Sequence, residues 1–214
     1  RMVFCRQGQL FGPLHDADLV KLPSTKLRIG YIGQLARHKG VHVLVDAVRQ
    51  LRNSKWDLTI YGNLTAQPEY VAQLRRAAGT DQRIRFAGTF DRTRLTAVMQ
   101  ELDVIIVPSL WYENSPNVIF EAFAHRTPVV ATNLGGMAEL VQHDENGLLF
   151  PAGDVKALSA QLERLLDNPG LIARLAAGIP AIRTLDEEVD ELETIYAAKV
   201  GAVDRSILSP GEVI

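Results

Sequence analysis

The sequence predicts an α/β protein built on a doubly wound parallel sheet of about six strands, with helices on both faces. Short apolar runs alternate with amphipathic stretches almost without exception. The apolar runs are rich in β-branched residues and bounded by Gly, Pro or Asn, as strands are. The 214 residues, 47% of them hydrophobic, suffice for one sizeable core without disulfides or structural metal.

In chain order, strands are predicted at 27–33 (LRIGYIG), 56–62 (WDLTIYG), 83–88 (RIRFAG), 103–108 (DVIIVP), 128–132 (PVVAT) and 147–150 (GLLF). Helical patterns fill the intervals at 40–52, 68–79, 92–102, 116–125 and 136–142. After the last strand they continue near 155–167, 169–177 and 186–200. This order implies βαβ units with parallel pairing and right-handed crossovers. Residues 1–26 lack periodicity and contain Gly8, Gly12, Pro13 and Pro23, so they read as a linker or an incomplete N-terminal element. The domain proper is 27–200, and 201–214 reads as a loosely held tail.

Composition narrows the function. Cys5 is the only cysteine, which excludes a disulfide framework and a zinc ribbon and fits a reducing compartment. The formal net charge of −2 argues against a generic nucleic-acid binder. Residues 1–100 nevertheless carry 16 Lys+Arg against 7 Asp+Glu, and 101–214 carry 7 against 18. Two readings stand: the split has no spatial meaning, or a cleft sets a cationic wall for an anion against an acidic wall that reads hydroxyls. No stretch approaches the roughly 18–20 apolar residues needed to span a bilayer, and no signal peptide is visible, so no integral membrane segment and a cytoplasmic location are expected. A chain that starts at Arg1 reads as part of a longer polypeptide.

In a doubly wound sheet, ligands bind outside the carboxyl ends of the strands, where strand order reverses. The first strand ends at Gly33 and runs through Gln34, Arg37, His38, Lys39 and Gly40 into a helix. A glycine there admits close backbone approach, the helix N-terminus offers unpaired N–H groups, and Lys39 adds a mobile positive charge for a phosphate. Neither nucleotide-binding glycine fingerprint is present; a plain turn with a solvated lysine is the competing reading. After the fourth strand come Glu113, Ser115, Pro116, Asn117, Val118 and Glu121. Ser115 suits an N-cap and Pro116 a first helical position, making a second anion seat. Asn117, Glu121 and His125 share one stripe of an otherwise apolar helix, so the stripe must face water or a ligand. Glu113 and Glu121 flank the seat as hydroxyl acceptors; separately each also fits an ordinary exposed position. After the fifth strand, Gly135-Gly136 allow close approach, and Glu139 suits either local capping or ligand contact.

Other features carry less. Asp16 and Asp18 spell a carboxylate pair, but away from a strand end, and His15, His38, His42 and His143 have no partner at metal-ligand spacing. The acidic run 186–193 reads as the wet face of the last helix.

Taken in order, Gly33 with Lys39-Gly40, Glu113 with Glu121 eight residues on, 128–131 followed by Gly135-Gly136, Glu139 and 140–141, and 147–150 leading to Gly153-Asp154 resemble one family. It is the retaining, nucleotide-sugar-dependent glycosyltransferases of family 4, with the two-domain GT-B architecture. The resemblance implies that this chain is the Rossmann-like, C-terminal, donor-binding half. It implies a hexose-type sugar passed from a nucleoside-diphosphate sugar to an acceptor with retention, without cofactor or metal. Lys39 would hold the diphosphate, N–H groups around Asn117 and Val118 the distal phosphate, Glu121 the ribose, and Glu113 would lie beside the transferred sugar. Many members have arginine where Gln34 stands here, so either Arg37 substitutes or the clamp relies more on helix N-termini. A missing N-terminal acceptor domain, expected to bring a catalytic histidine and any peripheral membrane attachment, would leave this chain inactive alone. Arg85, Phe86, Gly88 and Phe90 mark where a nucleobase would rest. A GT-B-type nucleotide-sugar epimerase and a non-catalytic doubly wound regulatory or interaction domain are the alternatives.

Overall fold

The structure, a computed structural model, describes residues 16–200. The chain divides into a large unit, Pro13–Ala181, and a second to which Ile182–Ile214 belong. In the large unit, β1 (Leu27–Ile32) lies at the centre of a six-stranded sheet with β2 (Trp56–Tyr61), β3 (Ile84–Gly88), β4 (Val104–Val107), β5 (Val129–Thr132) and β6 (Gly147–Phe150). The strand order is β3-β2-β1-β4-β5-β6 and every pair is parallel. The chain steps outward from β1 to β3, then crosses back to β4, so the order reverses between β1 and β4. All six strands fall within one residue of the predicted bounds, because a parallel sheet covered on both faces needs continuous apolar runs, and these are legible locally.

The connections are α1 (Val41–Val48), α2 (Pro68–Ala78), α3 (Leu95–Gln100), α4 (Asn117–Ala124) and α5 (Gly135–Leu140); α6 (Val155–Asp167) and α7 (Pro169–Ala177) follow β6. One face of the sheet packs under α1, α2, α6 and α7: Val104 and Ile106 of β4 share a buried cluster with Leu44, Leu74, Leu158 and Leu171. Ile105 points the other way, towards Leu102 and Gly30. The alternation along β4 thus feeds two cores. At the amino ends of the central strands, Asp103 accepts two hydrogen bonds from the Arg28 guanidinium (3.1 and 2.6 Å) and one from its backbone N–H (2.8 Å), tying β1 to β4.

The first and third helices fall well short of their predicted lengths. α1 stops at Val48 because Gln50 and Leu51 turn back on Ala47 and Val48 in three-residue steps. In the third, Asp91 caps a 3-10 turn over Arg92–Arg94 before α3 begins. Within the stretch expected to be a linker, Asp16–Leu19 form a 3-10 turn, and Leu22 N–H donates to Gln100 O at 3.0 Å. Residues 1–15 and 201–214 lie outside the described residues.

The second unit contributes α8 (Leu185–Val200). Thr184 and Glu187 form a reciprocal capping box, Thr184 N–H to Glu187 Oε2 at 2.8 Å and Glu187 N–H to Thr184 Oγ1 at 3.2 Å. Asp186, Glu187, Asp190 and Glu193 are exposed, as the acidic run predicts.

Gly40 precedes α1 with φ of +69°, and a β-carbon there would stand 1.8 Å from the Pro108 carbonyl oxygen. Gly40→Ala is therefore expected to cost on the order of 3 kcal/mol, from left-handed backbone plus a clash with unyielding main chain. Gly30→Ala, which meets only the tips of Leu102 and Ile105, should cost about 1–2 kcal/mol. Urea unfolding at unchanged slope checks both.

Candidate functional site

The site is built from loops that leave neighbouring strands on either side of the reversal. The loop after β1 carries Gln34, Arg37, His38 and Lys39; the loop after β4 carries Ser109, Glu113 and Ser115 and feeds α4. Leu110 N–H donates to His38 O at 2.7 Å, and the Pro108 carbonyl rests on Gly40, so the two loops are clasped together. Gly33 N–H donates to Tyr61 O at 3.1 Å and Gly62 N–H to Gly88 O at 2.9 Å, which ties the strand ends below.

Two cavities open above these strand ends and meet at Ile32, Gly33 and Gln34. The first, about 490 Å³, is bounded by Tyr61, Asn63, Phe90, Arg92, Leu95 and Glu121. The second, about 360 Å³, is bounded by Lys39, Ser109, Glu113, Ser115, Asn117 and Val118. Each contains one ion pair. Arg92 Nη1 lies 3.0 Å from Glu121 Oε1, the carboxylate buried and the guanidinium largely exposed. Lys39 Nζ lies 2.5 Å from Glu113 Oε1, which also accepts from Ser109 Oγ at 2.9 Å. Burial alone pushes the Glu113 carboxyl up; the hydrogen bonds from Lys39 and Ser109, with the Lys39 charge, outweigh it and hold the group below its ordinary value. Burial pushes the Tyr31 phenol far up, so it stays protonated and donates to Gln34 O at 2.8 Å.

The structure brings Gly33, Gln34, Lys39, Glu113, Ser115, Pro116, Asn117, Val118 and Glu121 around one continuous cleft. It corrects several expectations. Pro116, with ψ of 106°, is the N-cap and Asn117 the first helical residue. Proline confines the residue before it to extended backbone, so Ser115 stands one place too early and α4 has no side-chain cap. Arg37 does not replace a cation at Gln34: it is exposed and donates to Gln73 Oε1 on α2 at 3.0 Å. Gly40 meets protein rather than cavity. So do Gly135 and Gly136: a β-carbon on Gly136 would stand 2.1 Å from Asn114 O, and Gly136 N–H donates to Glu113 O at 2.8 Å. The glycine pair holds the loop that carries Glu113.

The polar stripe of α4 divides. Asn117 and Glu121 line the cavities, whereas His125 is buried with Nδ1 against Glu121 O (2.7 Å) and Nε2 against Thr96 Oγ1 (3.1 Å). Of the four residues expected beside a nucleobase, only Phe90 lines the cleft, edge-on to Tyr61 with ring centroids 5.1 Å apart. Arg85 turns to Thr59 Oγ1, and Phe86 lies under Arg75. Glu139 is exposed, and α5 has no side-chain cap. His42 Nδ1 meets Tyr70 OH at 2.8 Å, and His143 Nδ1 accepts from Leu149 N–H at 2.9 Å. Among the described residues no group of three or more His, Cys, Asp or Glu side chains is placed to hold a metal ion, and no helix is long and apolar enough to cross a membrane.

Sequence reasoning missed Arg92 and Ser109. The Asp91-Arg92-Thr93 cap signal directly after a strand marks Arg92 as a strand-end loop residue; nothing local marks Ser109, whose hydroxyl reaches Glu113 only because the loop folds back.

The sequence profile described as Glycosyl transferases group 1 matches residues 26–168. The chain is similar to the glycogen synthase of Mycobacterium tuberculosis, 32% identical over 182 residues that cover 84% of this chain and 44% of that protein. It spans less than half the length of the curated relatives it matches. Its structure is similar to that of Anabaena HepE in complex with UDP-glucose, with a TM-score of 0.72, 25% identity and coverage of 81% of this chain and 49% of that one. The C-terminal domain of the group 1 glycosyl transferase LpcC from Francisella tularensis shares the fold, with a TM-score of 0.62 at 22% identity, over 79% of this chain and 86% of that one.

Because the Glu113 carboxyl is held below its ordinary 4.5, its contribution to stability is complete above that pH and is lost as pH falls through the lower folded value. Glu113→Gln should therefore flatten the loss of stability between about pH 4.5 and pH 3. Lys39→Met should cost about 1–2 kcal/mol at pH 6 and progressively less as the Glu113 carboxylate is protonated on acidification, because it leaves a part-buried carboxylate without its cation. Urea midpoints across this pH range check both.

Proposed function

Because the chain belongs to the glycosyl transferases group 1 family, we propose that it is the donor-binding half of a two-domain, GT-B-type glycosyltransferase. It takes a nucleoside-diphosphate hexose, and the preceding half brings the acceptor. The observation that carries this reading is the pair of cavities joined at Gly33–Gln34 on the reversal of strand order. One is a largely apolar space with a buried carboxylate; the other holds a lysine and the N-terminus of α4. A nucleoside with ribose hydroxyls on Glu121 fits the first, and a diphosphate-linked sugar fits the second. The Anabaena HepE structure holds UDP-glucose, and the relatives carry synthase and transferase names, which favours transfer over epimerisation.

On this reading the diphosphate draws Lys39 away from Glu113, and Glu113 turns to a hydroxyl of the sugar. As the bond from the anomeric carbon to the diphosphate oxygen lengthens, negative charge grows on the leaving group and positive charge on the ring. Lys39 and the N–H groups opening α4 stabilise the first, and Glu113 offsets the second. The acceptor oxygen bonds to the same face of the anomeric carbon, and its proton leaves with the diphosphate, so configuration is retained. No step uses a metal or cofactor. With Arg37 turned to α2, the clamp rests on Lys39 and the N-terminus of α4.

Among UDP, GDP and ADP, at least one should raise the melting temperature of the chain at millimolar concentration, as a ligand specific for the folded state must. Lys39→Ala and Glu121→Ala should each remove the shift; equal shifts in parent and variants would sink the assignment. Gln34→Arg should tighten diphosphate binding about tenfold by adding a charged partner worth about 1.4 kcal/mol, read by calorimetry.

A further inference from the structure

At the opposite end of the sheet, below the amino ends of β1, β4 and β5, lies an open cavity of about 650 Å³. It is bounded by Lys21, Lys26, Lys55, Arg126 and Asp103, with α7 as an apolar side wall. Lys26 shares its charge with Asp57 at 2.9 Å, and Asp103 is already taken by Arg28. The balance is strongly positive. Lys21 donates to Met99 O at 2.7 Å and to Thr127 Oγ1, which uses two of the three ammonium protons and fixes the group on the cavity wall.

Arg126 is the second observation. It follows the C-cap of α4 with φ of +51°, a left-handed conformation that glycine would adopt without strain. The guanidinium donates to Ile179 O at 2.5 Å, which holds it at the rim. A tethered arginine and a fixed ammonium that line one concave space make a cradle for a compact dianion. The apolar wall formed by α7 receives a small organic body.

We propose that this cavity binds a phosphate monoester, at a site separate from the cleft above β1 and β4. Such a group carries about −1.5 to −2 charges at pH 7, matching the uncompensated cations.

Pyridoxal 5′-phosphate is the probe. Its phosphate seats in the cavity, and its aldehyde carbon condenses with Lys21 Nζ, releasing water. Borohydride then adds hydride to the imine, giving a stable secondary amine that peptide mapping locates. Burial lowers the Lys21 amine to about 8, so a usable fraction is neutral near pH 7.5. On the 214-residue chain, Lys21 should label at least tenfold faster than exposed Lys156. UDP should shield Lys39 and leave Lys21 unchanged. Competition by glycerol 3-phosphate identifies a soluble ligand; competition by phosphatidic acid vesicles alone identifies a lipid headgroup. Arg126→Gly and Lys55→Glu, with melting temperatures confirming the fold, should each slow Lys21 labelling at least fivefold. The proposal falls if Lys21 labels no faster than Lys156, if neither phosphate source competes, or if UDP protects Lys21 together with Lys39.

Discussion

Gly40 lies against the Pro108 carbonyl so closely that no β-carbon fits between them, and Leu110 N–H reaches His38 O across the same contact. His38 and Ser109 stand 71 residues apart in the chain, yet this clasp sets the relative positions of the two loops that border the cleft. It brings Lys39 within ion-pair distance of Glu113, and it aims the N-terminus of α4 at the end of β1. The left-handed turn at Gly40 both allows the approach and starts α1, so one residue serves loop docking and helix initiation. The central Arg28–Asp103 bridge anchors the same two strands from their other ends.

The uneven charge of the sequence takes a definite form at the cleft. Its cations, Lys39 and Arg92, come from the basic first hundred residues, and its carboxylates, Glu113 and Glu121, from the acidic remainder. They meet as two pairs, one per cavity, rather than as a cationic wall facing an acidic one. Pairing offsets the desolvation of part-buried charge, and it sets the condition that a ligand must replace each partner it removes.

Several residues that look like ligand contacts in a linear reading belong to the scaffold. Gly135 and Gly136 are small because Tyr112, Glu113 and Asn114 pass directly over them. His125 is polar because it links α4 to Thr96. Arg37 lies beside Tyr70 and Gln73. Loops pinned in this way present Glu113 on a rigid mount.

Six strands, their alternation with helices, the parallel doubly wound class and the loops at the strand ends are all legible in the linear sequence. All of these follow from periodicity and from Gly, Pro and Asn punctuation, which act over a few residues. The sequence also singled out Lys39, Glu113, Asn117 and Glu121, because strand-end position and helix start are local properties. Which groups pair, that Arg92 rather than Arg37 borders the cleft, and that α4 opens at Asn117 behind an extended Pro116 emerge only from the packed fold. Those outcomes depend on contacts between loops far apart in the chain, where angstrom-scale packing, not residue type, selects the partner.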